Sequence, residues 1–302
     1  MPFYGNFTEE GEKKAMGFNK KLLQARFENA AITFVNTLLQ AFHKSKAERT
    51  GEKIDTDAMD LTFEDHFDGD TLNTDIWRAH NAFGVRKGGF WSGSQLRVEN
   101  SNLIITTEYL ENGEFGPAWY TSGIETEDKF EQAFGYFECR CKLAKGQGLW
   151  SAFWMMNANV NKVVGHSRNG AEIDIFESPF WFRGEQKRNL VTLNLHYNGY
   201  GLHTRYKNVG IFQLDNDPYE NYNTYGVKWT PDAYTFYING YPVAKTAWGG
   251  VSQKPEYLIL SCEVDGGDAK PTRGWSGYIE RNDKKTFKAE FTVDYVRAYR
   301  FR

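Results

Sequence analysis

One octapeptide of the sequence carries three carboxylates that could perform acid–base or nucleophilic chemistry. It occupies residues 170–177 and reads Gly-Ala-Glu-Ile-Asp-Ile-Phe-Glu. Side chains of a strand alternate between its two faces, so Glu172 and Asp174 share a face and their like charges lie close together. Strict alternation would place Glu177 on the opposite, apolar face, where an unpaired carboxylate is costly to bury. One extra residue near Ile175 and Phe176, a β-bulge, would return Glu177 to the acidic face.

This arrangement predicts an acid and a nucleophile on one strand. Carboxylates on a single strip of sheet repel one another, which raises the pKa of at least one of them. Retaining glycoside hydrolysis needs such a pair, with the two carboxyl groups about 5–5.5 Å apart. Glu172 and Glu177 could meet that spacing on a bulged strand. Taken alone, the same residues could also form a solvated acidic edge strand or a cation site.

A pair of tryptophans lies upstream of the octapeptide. Trp150 and Trp154 are four residues apart on a glycine-marked predicted strand, so they share a face. They could belong to the core, but beside an acidic strip they would suit stacking against pyranose rings. The chain is rich in aromatic residues, with 9 Trp, 17 Tyr and 23 Phe. Packing of a β core accounts for most of them.

Composition narrows the class of protein. The chain has 302 residues and a formal net charge of −3, from 36 basic and 39 acidic residues. This balance gives no sign of a nucleic-acid or membrane-surface partner. No run of about 18 apolar residues is present, so we expect no membrane span. As written, the N-terminus lacks a signal peptide, which predicts a cytoplasmic protein, or a secreted one if a signal has been removed.

The elements that must position these residues fall into two regions. In residues 1–60, apolar residues recur at roughly helical spacing from Phe18 to Phe42, which predicts an N-terminal helical extension followed by a polar linker. The apolar stripe of that helix must be covered by the main domain, a second copy or a partner, so it is a candidate for self-association. Over residues 61–302, short β-prone segments alternate with turn signals, which predicts an all-β sandwich of two sheets.

Local patterns add three smaller predictions. The Asn239-Gly240 pair between two apolar runs predicts a hairpin over residues 234–244, and the Gly-Tyr-Gly sequence at 199–201 indicates a turn. Cys139 and Cys141 lie two apart on a predicted strand and cannot easily bridge each other. With Cys262 they are expected to be free thiols, because no disulfide framework or metal-type spacing is present.

Several segments, in their order along the chain, resemble glycoside hydrolase family 16. The matching segments are residues 120–126, 134–143, 148–155, 172–177, 225–232, 236–240 and 293–299. The resemblance covers roughly residues 61–302 and leaves the N-terminal segment outside. It implies a β-jelly roll of two curved antiparallel sheets, with a glycan cleft across the concave face.

The resemblance also implies roles for the octapeptide. By motif position, Glu172 would be the nucleophile and Glu177 the general acid/base, with Asp174 assisting between them through hydrogen bonding and charge. Two residues between Asp174 and Glu177 are typical of the bulged, laminarinase-like branch, which also contains galactan-cleaving enzymes. His196 falls where that branch has a cleft histidine, although a lone strand histidine is otherwise more often structural.

Other binding residues are expected around this motif. The candidate substrate-binding residues are Trp150, Trp154, His196, Trp181, Trp119 and Arg140. Ser151 stands where family members often have proline, and the segment after Glu177 also departs from the family pattern, which leaves the substrate open. No cofactor is expected to be required. Some members hold a structural calcium, for which Asp294 and Glu64 occupy suggestive positions, and the sequence leaves its presence open.

Four functions follow from the sequence, the first being an endo-acting, retaining β-1,3-glucanase or related β-glucan hydrolase. The second is an endo-β-galactosidase that acts on host or algal glycans. The third is a non-catalytic glycan-binding sandwich, which the two glutamates of the motif disfavour. The fourth is a transglycosylase that uses the same covalent intermediate. Each predicts a polysaccharide or oligosaccharide partner.

Overall fold

The computed structural model of the protein describes residues 45–46, 51–79, 84–179, 181–182, 185–186, 189–268 and 275–302. The predicted N-terminal helix lies outside these residues, except that Ser45–Lys46 form a short strand. The first long strand begins at Met59, so the last two residues of the expected linker already belong to the sandwich.

The described residues form 22 strands and three short 3₁₀ helices. The first eleven strands are β1 Ser45–Lys46, β2 Met59–Asp65, β3 Arg78–Ala79, β4 Gly84–Arg86, β5 Gly89–Trp91, β6 Leu96–Val98, β7 Leu103–Leu110, β8 Ala118–Thr121, β9 Gly123–Glu125, β10 Glu131–Gln132 and β11 Gly135–Lys142. The others are β12 Leu149–Met156, β13 Glu172–Pro179, β14 Trp181–Phe182, β15 Glu185–Gln186, β16 Leu190–Tyr197, β17 Arg205–Gln213, β18 Asn223–Trp229, β19 Tyr234–Ile238, β20 Tyr241–Thr246, β21 Glu256–Val264 and β22 Lys288–Phe301. The 3₁₀ helices are Gly93–Gln95, Ala158–Asn161 and Ile279–Arg281. Within the described ranges, no helix has the length and apolar character needed to cross a membrane.

The strands form two large sheets, as predicted. The first sheet has nine strands in the order β1-β17-β16-β13-β12-β21-β9-β3, with β10 paired to β21. The second has eleven strands in the order β20-β19-β18-β11-β22-β7-β8-β5-β4, with β2 paired to β22 and β6 to β7. Strands β14 and β15 pair separately. Most neighbours are antiparallel, which lets short turns connect them.

One apolar core fills the space between the two sheets. Ile173 and Phe176 of the first sheet and Tyr225 and Phe291 of the second are all fully buried in it. The ring centroids of Phe176 and Tyr225 are 4.2 Å apart. Since strand side chains alternate, the first sheet has a second face that points away from this core.

The local predictions are confirmed. Strands β19 and β20 form the predicted hairpin, and its turn residues Asn239 and Gly240 have φ values of 53° and 80°, as a two-residue hairpin turn requires. All three cysteines are buried and free. The sulfurs of Cys139 and Cys141 lie 3.8 Å apart on the same face of β11, at thiol hydrogen-bonding distance and without a disulfide bond.

Truncating Phe176 should destabilise the sandwich, because the ring is fully buried between the sheets. Phe176→Ala is expected to lower the free energy of unfolding by about 3–5 kcal/mol, since the cavity can close only in part. Phe176→Leu, the matched control, should lower the free energy of unfolding by clearly less. Chemical denaturation would measure both, and a cost below about 1 kcal/mol for the alanine variant would contradict this packing.

Candidate active site

The octapeptide forms the start of β13, and this strand is bulged where the sequence predicts it. Against β16, Glu172 pairs with His196, Asp174 with Asn194, and Glu177 with Thr192. Three residue steps on β13 therefore oppose two steps on β16. The side chains of the residues in between, Ile175 and Phe176, are both buried in the core.

The bulge places the three carboxylates on one surface. We call this surface the outer face of the first sheet. It is formed by Glu172, Asp174 and Glu177 of β13, Trp150, Ala152 and Trp154 of β12, and Asn194 and His196 of β16. The predicted β-bulge and the shared acidic face are thus confirmed in the backbone register.

Polar side chains of β16 hold the carboxylates. Asn194 donates a hydrogen bond from Nδ2 to Oε2 of Glu177, at 2.7 Å. Nε2 of His196 lies 3.3 Å from Oδ2 of Asp174 and 3.7 Å from Oε1 of Glu172. The imidazole ring is stacked on Tyr206, with ring centroids 5.4 Å apart. His196 therefore lies beside two of the carboxylates, and its role in a glycan cleft remains a prediction.

Burial and neighbouring charges shift the pKa values of Glu177, Asp174 and His196 by different amounts. Burial, reinforced by the charge of Asp174, raises the pKa of Glu177 to about 8. Burial and the charge of Glu172 raise the pKa of Asp174 to about 6. Burial lowers the pKa of His196, but the surrounding carboxylates outweigh it and raise that pKa to about 9. At neutral pH, Glu177 therefore holds a proton and His196 carries a positive charge.

Acid catalysis with a carboxylate partner needs one carboxyl group that is protonated at neutral pH, and Glu177 meets this need. Glu177 can give a proton at neutral pH, and its hydrogen bond from Asn194 fixes the carboxyl in place. The side chain of Glu172 is 12% exposed, so an oxygen of the neighbouring carboxylate can be reached from the outer face.

Trp150 and Trp154 lie on the outer face beside the carboxylates, as their spacing predicts. They are 7% and 8% exposed. The Trp154 indole N–H donates to Oγ of Ser261, at 3.1 Å. The Trp150 ring meets Trp275 edge to face, with centroids 5.2 Å apart. Both rings thus pack largely against protein, which leaves little of either side chain open to a sugar.

Two predicted binding residues lie elsewhere, and the prediction is corrected for them. Trp119, on β8 of the second sheet, is 1% exposed, and its indole N–H donates to Glu280 at 2.8 Å. A ring enclosed in the core cannot stack on a glycan. Arg140, on β11, forms an ion pair with Asp294 on the outward side of the second sheet. The side chain of Trp181 lies outside the described part of the structure.

Sequence reasoning missed other residues at the site. The hydroxyl of Tyr200 donates a hydrogen bond to Oε2 of Glu172. Arg86 contacts Oε1 of the buried Glu263 through Nε at 2.8 Å and Nη2 at 2.7 Å. The sequence marks Tyr200 only as part of a turn, and the partners of Arg86 and Trp275 are far away along the chain. No local spacing could have identified these residues.

Carboxylates that could hold a metal ion occur at two places in the described residues. Ligand atoms of Glu172, Asp174 and His196 lie within 4.8 Å of one another, but a cation there would occupy the predicted nucleophile. Asp294 and Glu64, the two positions that the sequence suggests for a calcium, each lie beside an arginine. Asp294 is paired with Arg140, and Oε2 of Glu64 lies 3.7 Å from the guanidinium of Arg297. Each of these carboxylates already faces a cationic side chain.

A two-sheet β sandwich with an acid and a carboxylate on one bulged strand has the components of a two-carboxylate glycosidase. A family model described as glycosyl hydrolases family 16 matches residues 83–297. The chain belongs to this family, among its laminarinase-like and β-glucanase-like members.

Similar proteins cleave different glycans. The chain is 25% identical over 298 residues to an endo-1,3-1,4-β-glycanase of Rhizobium meliloti, which covers 90% of this chain and 58% of that protein. It is also 29% identical over 219 residues to a keratan-sulfate endo-1,4-β-galactosidase of Sphingobacterium multivorum. That alignment covers 69% of this chain and 45% of the relative. The chain thus spans about half the length of these relatives.

A solved structure supports the fold assignment. The endo-β-1,3-glucanase of Pyrococcus furiosus superposes with a TM-score of 0.65 at 27% identity, over 84% of this chain and 99% of that one. The two-sheet sandwich observed here is therefore the fold of that enzyme.

The pKa of Glu177 should set the alkaline limit of activity. As the pH rises through about 8, Glu177, the expected acid, loses its proton, and kcat/KM should fall about tenfold per pH unit. Asp174→Asn removes a charge that raises the pKa of Glu177, so the alkaline limb of the pH–rate profile should move to lower pH. Asn194→Ala removes a hydrogen bond that lowers the pKa, so the limb should move to higher pH. Rate profiles of both variants would test these directions, and equal profiles would contradict them.

A second buried carboxyl group, that of Glu256, contacts the backbone directly before β13. Oε1 of Glu256, which is fully buried at the start of β21, accepts the backbone N–H of Ala171 at 3.0 Å. Burial raises the pKa of Glu256 from its ordinary 4.5 to about 8. The folded protein therefore retains a proton that the unfolded chain releases.

The stability tied to Glu256 should be present below its ordinary pKa and should be lost as the pH rises towards about 8. Glu256→Gln keeps an acceptor and cannot ionise. The Tm of this variant relative to wild type should therefore increase between about pH 5 and pH 8. Glu256→Leu, which removes the acceptor, should lower the Tm throughout. A Tm difference for the glutamine variant that does not change with pH would contradict the raised pKa.

Proposed function

We propose that the protein is an endo-acting, retaining glycoside hydrolase that cleaves internal β-linkages of a β-1,3-glucan by double displacement. The observation that carries the proposal is the bulge of β13. It brings a protonated Glu177 onto the same face as Glu172, with Asp174 between them. Family membership and the likeness to an endo-β-1,3-glucanase support the substrate class.

In the first step, a carboxylate oxygen of Glu172 attacks the anomeric carbon of the bound glycan. Glu177 gives its proton to the departing glycosidic oxygen, and the carbon–oxygen bond breaks. The result is a glycosyl ester on Glu172. The charge of Asp174 favours the protonated form of Glu177 before this step.

In the second step, Glu177 acts as a base. It takes a proton from water, whose oxygen attacks the anomeric carbon and displaces Glu172 as a carboxylate. Glu177 is then protonated again for the next cycle. Every proton in this cycle moves between water, glycan and Glu177, so the proposed chemistry needs no cofactor.

An endo-β-galactosidase is the second candidate. The keratan-sulfate endo-1,4-β-galactosidase is the more similar of the two relatives described above in sequence identity, although it covers less of the chain. The same residues would perform the same two steps on a galactose-containing glycan. Transglycosylation would follow if a sugar instead of water took the second step.

Digestion of a glycan panel tests the proposal. The panel would contain laminarin, lichenan, agarose, keratan sulfate and mucin-type glycans, with products read by mass spectrometry. We expect laminarin to be cut internally into oligosaccharides, with the β-anomer appearing first by NMR. Glu172→Gln, which keeps the shape of the side chain, should release none of these products.

Other outcomes of the panel decide between the candidates. Cleavage of keratan sulfate or mucin glycans with every glucan left intact would favour the galactosidase. Full activity of Glu172→Gln, or initial products of inverted configuration, would contradict double displacement on this residue.

A further inference from the structure

Tyr200 lies in the loop that joins β16 to β17, and this loop is anchored on both sides. Oδ1 of Asn198 accepts the backbone N–H groups of Val164 and Gly165, at 3.1 and 2.9 Å. The hydroxyl of Thr204 donates to the carbonyl oxygens of residues 199 and 201. The loop thus holds Tyr200 at a defined position four residues beyond His196.

The phenol of Tyr200 contacts the predicted nucleophile directly. Its hydroxyl donates to Oε2 of Glu172, whereas Oε1 of the same carboxylate faces His196 at 3.7 Å. The two oxygens of Glu172 therefore have different partners. Tyr200 as a whole is 57% exposed, so its ring can also be reached from solvent.

The hydroxyl keeps its proton under working conditions. Partial desolvation of the phenol, followed by the charge of Glu172 and the hydrogen bond to it, raises the pKa of Tyr200 well above the usual range for tyrosine. Tyr200 is therefore a hydrogen-bond donor to Glu172 and cannot compete with Glu177 as the acid.

We propose that Tyr200 is a positioning residue for Glu172 that chiefly serves the second displacement. This inference rests on the proposed function. In the first displacement Glu172 loses charge as it becomes an ester, so a donor to the free carboxylate does not lower that barrier. In the second, the bond between the anomeric carbon and Glu172 breaks and its electron pair returns to the carboxylate. A donor held at Oε2 stabilises the charge as it develops.

The experiment uses Tyr200→Phe, which removes only the hydroxyl. The substrate is a 2,4-dinitrophenyl β-glycoside of laminaribiose, whose reactive leaving group makes the first displacement fast. A hydrogen bond to a charged group corresponds to roughly a ten- to hundredfold change in rate, which we expect as the fall in kcat. KM should fall in parallel, so that kcat/KM, which reports the first displacement, changes by less than about threefold.

Two further measurements make the test specific. Rapid mixing should show a burst of dinitrophenol close to one equivalent per Tyr200→Phe enzyme, and mass spectrometry should find the glycosyl ester on Glu172. Tyr241→Phe, on β20 of the second sheet, is the matched control and should behave as wild type.

The outcomes separate this inference from the proposed function. If wild type turns over the aryl glycoside and Tyr200→Phe gives the same kcat, the inference is wrong and the proposed function stands. A fall in kcat/KM with no burst, or a rise in kcat, would also overturn it. If wild type forms no ester and releases no dinitrophenol, the β-glucanase proposal fails and this inference fails with it.

Discussion

Strand β13 has to meet two demands that a regular strand cannot meet together. Its inward face must supply apolar side chains to the core, and its outward face must carry Glu172, Asp174 and Glu177. With this sequence, regular alternation would bury Glu177 and expose Phe176. The bulge turns both Ile175 and Phe176 inward, which satisfies the core and leaves the last carboxylate outside. Packing of the sandwich and placement of the acid therefore depend on the same backbone irregularity.

The electrostatics of the site follow from that placement. Three carboxylates on one face would repel one another, and the sheet reduces this repulsion in two ways. Burial keeps a proton on Glu177, so that one of the three is neutral at neutral pH. His196 supplies a positive charge to Asp174 and Glu172, and its stacking on Tyr206 fixes the ring that carries this charge. One strand can thus carry a protonated Glu177 close to carboxylates that His196 balances.

The sequence predicted those features that depend on residues close together along the chain. The alternation of side chains along residues 172–177 was enough to predict the bulge, because burying an unpaired carboxylate costs so much free energy. The Asn239-Gly240 turn fixed a hairpin for a similar reason, since few backbone conformations suit it.

Contacts between distant segments could not be predicted in the same way. Trp119 and Arg140 lie in or beside family-like segments, but the strands that carry them, β8 and β11, belong to the second sheet. Proximity to a motif along the chain does not show which sheet a side chain belongs to. Tyr200 reaches Glu172 across a loop between two strands, and its position depends on anchors near residues 160–165. The N-terminal helix remains a prediction because residues 1–44 lie outside the described part of the chain.

The outer face of the first sheet also shows how packing and acidity are connected. Along β12, Trp150, Ala152 and Trp154 share this face, and the register pairs Ala152 with Glu177. The small alanine leaves room for the carboxyl between two large indoles. Those indoles belong to an apolar cluster with residues of β21, so they help to bind β12 to β21 while excluding water from the acid. Because burial is the largest cause of the raised pKa of Glu177, the aromatic packing that stabilises this part of the sheet also helps to keep the acid protonated.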